Sequence, residues 1–408
     1  MFIAPYFDYV SGGLLGAGTP TGDKLGSVTD GWILDFENGK ILVRDTVTQA
    51  NAVYDDIENE VTGWGTGYYA EDAAGDWTEI TGFRECYVSG ANAGFLFWPA
   101  TTNDCLYCRD WTQSGSWTAT NMSTALDATG IDGSANTATT LTADANNATI
   151  LQTITHTSQN TIFGLWMRRV TGSGNIYITA DGDGGSSETL KAITGSWAQY
   201  YINIASLTNP VVGVKIATSG NVIEVDFALS ELDGRTRPSP PILTTSAAAS
   251  SAGPNLVLPT VPIGATGNTI VVEEYIPHEI GSSGQNFLEV FVDGSNLNRY
   301  EASGGDQLLH WTHDAGSSNL HYGANPSLTA EAFEVLGMSG EENNSVLSVE
   351  GSTDGTADTT VNYPDLSSSP TIYFGRRSNN SNQLSRYLRH LIWIPTYNDQ
   401  TALNTLTS

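Results

Sequence analysis

The sequence predicts an all-β protein: two antiparallel β-sandwich domains preceded by a small β-rich N-terminal region. Three observations predict it. Short stretches alternate apolar and polar residues, as in 175–179 (NIYIT) and 289–293 (EVFVD), and each ends at a Gly, Asp or Asn cluster. That is the pattern of strands with one face packed inward, followed by tight turns. No helical periodicity of useful length interrupts them. Charged residues make up only 15% of the chain, against roughly 25% in an average soluble domain, and the shortfall is filled mostly by Thr, Ser, Asn and 43 glycines. Aromatics reach 10%, which separates this composition from that of a disordered chain.

With 408 residues the chain has room for several cores. Residues 1–100 are rich in Gly and Tyr, with hairpin candidates at 37–40 (ENGK) and 74–76 (AGD). Residues 101–237 form the first predicted sandwich. Residues 238–254 open on Pro238, Pro240 and Pro241 and continue in Thr, Ser and Ala, the composition of an extended linker. Residues 255–408 form the second. No short-period repeat marks a solenoid.

Charge and cysteine content narrow the partners. The 44 acidic residues against 16 basic give a net charge of −28. Such a surface repels phosphate backbones and anionic lipid, so neither nucleic acid nor membrane is an expected partner. Cys86, Cys105 and Cys108 lie close together in sequence, but the single C-x-x-C lacks the second pair of a zinc site and the βαβ context of a redox site. Buried or unpaired thiols are expected. The opening MFIAPYFDYV carries Asp8 and no basic run, so no secretory signal is expected. No stretch approaches the 18 or so apolar residues of a membrane span.

Between residues 94 and 200 the sequence resembles a known module. Residues 94–103 (GFLFWPATTN) lead to Trp111 and Trp117, then 132–142 (DGSANTATTLT), 163–168 (FGLWMR) and 195–200 (GSWAQY). This run is similar to a module of tail-fibre and other minor structural proteins of tailed bacteriophages. There "GLLIEPARTNLL…W" leads into "PDGTATA…L" and a strand reading "SxWxK", followed by a "WxRY"-like strand. Ala198 and Gln199 stand where that family carries polar or Arg residues. The segment 32–48 is a looser echo of such proteins' "DF…RAS" opening. At the other end, 371–377 (TIYFGRR), 387–395 (YLRHLIWIP) and 400–406 (QTALNTL) resemble a laminin-G or concanavalin A-like domain closed by a short helical cap. The resemblance implies carbohydrate-binding, lectin-like or jelly-roll sandwiches. It also implies a place on the virion surface, at tail or capsid, after assembly in the host cytoplasm. Other virion proteins are the implied partners, with self-association as a trimer in the manner of phage fibres and the first 100 residues as the particle anchor.

The chemistry expected of such a chain is recognition rather than catalysis. No G-x-S-x-G elbow, Walker loop or H-E-x-x-H is present, nor the stacked repeats of a β-helical tailspike. Exposed aromatics grip sugars by stacking, and Trp311, Tyr322, Tyr68 and Tyr69 are the candidates, with core packing as the competing role. No cofactor is expected. Calcium is the one ion with a candidate site, at Asp181 and Asp183 in 181–185 (DGDGG), where a plain hairpin turn is the alternative. In 310–323 (HWTHDAGSSNLHYG), His310 and His313 have opposite strand parity, which spoils a shared metal, and exposed polar positions are expected for the histidines. Arg376, Arg377, Arg386 and Arg389 concentrate positive charge near the C-terminus. They either balance local carboxylates or dock an acidic neighbour. The leading expectation is a tail-fibre or receptor-binding protein holding host glycan non-covalently. A capsid-decoration or head-fibre protein is the alternative, and a glycan depolymerase the third.

Overall fold

The computed structural model describes residues 31–408 except 37–39, 46–49, 57–63, 233–236, 255, 257–265, 278–283, 304–306, 325–327, 365, 367–370 and 379–383. The first thirty residues, the tip of the 37–40 hairpin and part of the 32–48 echo therefore lie outside the described residues. The named strands of the described chain pair antiparallel, and its one helix is Gln400–Thr407. It forms two compact units, each discontinuous in sequence. One comprises Met1–Gly65, Gly82–Pro99 and Gly253–Ser408, the other Thr66–Thr81 and Ala100–Ala252.

In the unit that holds the C-terminus, two sheets enclose one core. The first runs through Ser352–Thr353, Asn344–Val349, Ala332–Glu341, Gly267–Ile276 and Arg386–Ile394. The free edge of Arg386–Ile394 is then shared by two strands from far upstream. Gly31–Asp35 pairs with its second half, Asp35 opposite His390, and Ala91–Phe97 pairs with its first half, Phe97 opposite Arg386. The second sheet has the order Ser317–Tyr322, Gln307–Asp314, Asn296–Ser303, Gln285–Asp293, Thr371–Phe374. Ile270, Val272, Leu336, Met338, Leu391 and Trp393 from one sheet meet Leu288, Val290, Tyr300, Leu308 and Phe374 from the other. Phe36, Phe95 and Phe97 join this core. Hence Gly31–Asp35 and Ala91–Phe97 of the N-terminal region complete the C-terminal sandwich, while Thr66–Thr81 belongs to the other unit.

The terminal helix covers one end of the first sheet. Asp399 caps it by accepting the amide of Ala402, and Leu403, Leu406 and Thr407 are buried. The Thr407 hydroxyl meets that of Ser348, and Gln400 donates to the carbonyl of Leu347.

The other unit is a sandwich of two five-stranded sheets. One has the order Met122–Ala128, Ala138–Ala143, Val222–Leu232, Gln159–Thr171, Ala198–Leu207. The other has the order Thr189–Lys191, Ile176–Thr179, Val211–Ile216, Ala148–Thr153, Thr118–Thr120. Trp111 and Trp117, part of the recognised run, stack at 3.9 Å and 10° inside its core. The 74–76 hairpin forms between Tyr69–Glu71 and Trp77–Glu79, with Gly75 at φ +87. Cys105 and Cys108 are buried free thiols in this core, and Cys86 is buried in the first unit. Burial pushes Cys86 up to about 12 and Cys108 up to about 11, so neither is a thiolate at neutral pH.

The stretch 238–254 departs from the extended-linker expectation. Ser239, Ile242 and Thr244 are buried. Asn103 donates its amide to the carbonyls of Ala228 and Ile242, and Thr244 Oγ1 accepts from the Cys108 amide while donating to the Cys105 carbonyl. Ala249–Ser251 then pairs with Thr101–Asn103. The small polar side chain of Thr244 satisfies buried backbone groups instead of facing water.

The upstream strand sits against Arg386–Ile394 only because Gly94 has no side chain. At φ +82, a Cβ there would fall 2.0 Å from the carbonyl oxygen of Leu388. Gly94→Ala is expected to destabilise this unit by roughly 2–3 kcal/mol, measured as a lowered denaturant midpoint. Gly90→Ala, at a similar φ but with nothing within 4 Å, is the milder comparison.

Candidate functional site

The second sheet of the C-terminal unit carries the candidate site on the face turned away from the core. Along Asn296–Ser303 and Gln307–Asp314, Asn298, Tyr300, Ala302, Leu308 and His310 point inward. Alternation therefore turns Arg299, Glu301, Leu309, Trp311 and His313 outward. A bulge between Asn286 and Leu288 resets the parity of the next strand, so Glu289 and Phe291 join that face. Register then lays Tyr373, Glu289, Arg299, Trp311 and Leu320 side by side across all five strands, with Phe291, Leu297 and His313 in the adjacent row.

Ion pairs form the floor of this face. Arg299 Nε lies 2.6 Å from Glu289 Oε2, and both residues are buried. Arg377 grips Glu301 with both its Nε, at 3.2 Å, and its Nη2, at 2.8 Å. Ser378 donates its amide to Glu289 at 2.8 Å, which draws the chain after Thr371–Phe374 over the carboxylates. Burial pulls the Arg299 pKa below the ordinary arginine value, and Glu289 opposes it. Both cations lie near the Trp311 ring, Arg299 Cζ 3.9 Å and Arg377 Cζ 5.5 Å from its centroid. His313 stacks near it at 6.4 Å and 18°. Across the face, Phe291 and Tyr373 meet edge-on at 6.2 Å, and Arg376 sits 5.2 Å from the Tyr373 ring. Trp311, His313, Phe291 and Tyr373 are each half-buried, while Leu320 and Tyr322 are 45% and 47% exposed.

The result is a shelf of partly exposed rings over a neutralised charged floor. Ring faces can stack against apolar surfaces, and bordering guanidinium groups can donate to ligand oxygens. Glu289 and Glu301 are each committed to an arginine, so neither is placed as a solvent-facing acid or base.

Of the sequence candidates, Trp311, Tyr322, Arg376 and Arg377 come together here. The others do not. Tyr68 is 1% exposed and presents no ring to a ligand. Half-buried Tyr69 packs 4.8 Å from Phe227 in the unit's core. Arg386 is fully buried against Glu274 and bonds Gln285 at 3.1 Å, leaving no surface for docking a neighbour. Arg389 binds Glu273 at 3.0 Å and the carbonyl of Asn92 at 2.7 Å. Local charge balance describes both. Asp181 accepts from Ser187, Ser186 and Thr179 around the turn, where Gly182 and Gly184 have φ +91 and +70. Asp183 pairs with Lys215 at 2.9 Å. Among the described residues no group of three His, Cys, Asp or Glu could hold a metal ion. The histidines reverse the expectation of exposure: His310 and His321 are buried, directly opposite each other, and both reach Ser345. Their burial follows from sharing the inward parity of the sheet, and His313 takes the outer face.

Arg299, Glu289, Glu301, Phe291 and Tyr373 escaped the sequence reading. The alternation of 289–293 was visible, but the bulge that aligns it with Trp311 was not.

No protein-family model and no curated protein matches this sequence. Among solved structures, the chain is similar to the CBM40 domain of a Ruminococcus gnavus sialidase, at 9% identity and TM-score 0.31, over 36% of this chain and 84% of that one. It is also similar to domain 4 of the arabinanase AbnA of Geobacillus stearothermophilus, at 12% identity and TM-score 0.31, over 38% and 73% of the two chains. A pentraxin of Limulus polyphemus gives 12% identity and TM-score 0.29, over 36% and 73%. Overlaps at this level do not bear on ligand.

One cluster behind the other sheet makes a pH-dependent contribution to stability. His390 lies 2.8 Å from Glu273 and 3.3 Å from Asp35, all three buried. Burial alone would lower the histidine, but hydrogen bonds to Asp35 and Glu273 outweigh it and raise His390 to about 9. Because this exceeds the ordinary value of 6.5, the stabilisation is complete below about pH 6.5 and is lost as pH rises through about 9. Its size is on the order of 3 kcal/mol. Melting temperatures of the native protein are expected to fall between pH 7 and 10, with a shallower fall in His390→Gln.

Proposed function

We propose that this chain is a non-enzymatic glycan-binding protein whose ligand lies on the ring shelf of the C-terminal sandwich. The carrying observation is the alignment of Trp311, His313, Phe291 and Tyr373 on one outward face above paired charges. Ring faces of this kind complement the apolar face of a pyranose, and the flanking arginines complement its hydroxyl or carboxyl oxygens. Ion pairs beneath hold the rings at fixed spacing, which lowers the ordering cost of binding. A shelf is a shallow site, so affinity per copy is low and many copies on one scaffold make retention effective.

The setting that best fits this reading is the one the resemblance of residues 94–200 implies: the surface of a tailed phage particle, in a tail-fibre or receptor-binding role. Weak sites repeated on a particle suit attachment to a cell surface. Absence of catalysis is part of the proposal, and it is supported by the commitment of Glu289 and Glu301 to arginines.

A glycan array probed with multivalently displayed protein is expected to retain it on a subset of sugars, with retention reduced at least tenfold in Trp311→Ala. Equal retention by that variant, with its melting transition unchanged, would remove the shelf from the function. Release of reducing sugar from a retained polysaccharide would replace binding with depolymerisation.

A further inference from the structure

Between the two sheets of the C-terminal unit, His310, Ser345 and His321 form a chain whose hydrogens can be counted. His310 Nδ1 is 2.7 Å from Ser345 Oγ, and His321 Nδ1 is 2.8 Å from the same oxygen. At the far ends, His310 Nε2 lies 2.7 Å from Asn298 Oδ1, and His321 Nε2 lies 2.8 Å from the carbonyl oxygen of Thr356. A carbonyl only accepts, so His321 carries hydrogen on Nε2 in either charge state.

Suppose His321 is neutral. Its Nδ1 is then bare and takes the hydroxyl hydrogen of Ser345. Ser345 has only one, so His310 must donate from Nδ1 to Ser345 Oγ, leaving its Nε2 bare. That nitrogen needs a donor, which Asn298 supplies if its amide is half-turned to present Nδ2. Suppose instead that Asn298 presents Oδ1, the orientation in the structure. His310 then holds its hydrogen on Nε2 and accepts from Ser345 on Nδ1. His321 must donate to Ser345, so it carries two hydrogens and a positive charge. The heavy atoms suit both arrangements, since the two ends of a side-chain amide nearly superpose.

The consequence extends past Asn298. Its Nδ2 lies 3.1 Å from Asn268 Oδ1, 3.0 Å from Tyr300 Oη and 3.1 Å from Tyr363 Oη, and Asn268 also bonds both tyrosines. Turning Asn298 alone would set two carbonyl oxygens against each other, so Asn268 turns with it and the tyrosine hydroxyls re-aim.

We propose that this chain is a one-proton switch: loading His321 reverses the hydrogen bonds from Ser345 through His310 and Asn298 to Asn268, while His310 stays neutral throughout. The surroundings select His321 as the site of charge. Asp354 and Asp358 face it and favour its cation. His310 faces Tyr300, stacked at 4.8 Å and 1°, with Gly340 so close that an added Cβ would lie 2.2 Å from its ring. A further carboxylate, Glu342, accepts the Tyr363 amide beside the network. Burial lowers both imidazoles, His310 to about 3, so His321 takes the proton below the ordinary histidine range. The linked groups sit on Gly267–Ile276 and Asn344–Val349 of one sheet and on three strands of the other, including the one that carries Trp311 on its opposite face. The switch thus lies directly beneath the shelf.

Imidazole nitrogen–hydrogen correlation spectra of the full chain, recorded from pH 8 to 4, test this. At pH 8, His310 is expected as the Nδ1–H tautomer and His321 as the Nε2–H tautomer. As His321 gains its proton, His310 should pass to the Nε2–H tautomer over the same pH interval. A His310 that keeps one tautomer while His321 titrates, or that becomes charged first, overturns the proposal. In Ser345→Ala, His321 should titrate with no tautomer change at His310; should that variant not fold, the native titration decides alone.

Discussion

Everything in the C-terminal unit depends on closing both edges of the strand Arg386–Ile394. A strand with apolar residues on its inner face and unpaired amides along one side invites association with other chains. One edge is met by Gly267–Ile276, from the same part of the sequence. The other is met end to end by Gly31–Asp35 and Ala91–Phe97, which lie far upstream in the sequence. The first unit is therefore interrupted by the whole of the second. The same pairing sets Asp35 beside His390, and brings Arg389 to the carbonyl of Asn92.

An acidic chain with few cations has to decide where those cations go. Arg386 and Arg389 are spent against Glu274 and Glu273, and Arg377 pairs with Glu301 on the outer face. Burying an unpaired carboxylate is costly, so buried Glu273, Glu274 and Glu301 each draw an arginine to them. On the shelf this arrangement has a second effect. Arg299 and Arg377 neutralise the floor and at the same time flank Trp311, which fixes the ring in a half-exposed position. The polar interior beneath, from Asn268 to His321, obeys the same rule with hydrogens in place of charges.

Much of the fold was legible in local pattern. The runs 175–179 and 289–293 are strands, 74–76 is a hairpin turn, and 400–406 is the capping helix. Local alternation also placed His310 and His313 on opposite faces. The site was legible only in part. Trp311 and Tyr322 read as rings for a glycan and Arg376 and Arg377 as docking charges, and nothing in the spacing of the two pairs shows that they share a face. Tyr68 failed as a candidate because flanking glycines describe backbone freedom, not exposure. The 238–254 stretch failed as a linker because small polar residues serve equally well beside water or beside buried amides.

By itself the sequence determined the strand class, the turns and which side chains share a strand face, because those depend on a period of two residues and on glycine, asparagine and proline geometry. Only the tertiary structure decided which strands are neighbours, which arginines meet carboxylates, and that two cations lie near Trp311. Those outcomes depend on register between distant segments, where a single bulge at Asn286–Leu288 exchanges the inner and outer faces, and no local pattern records it.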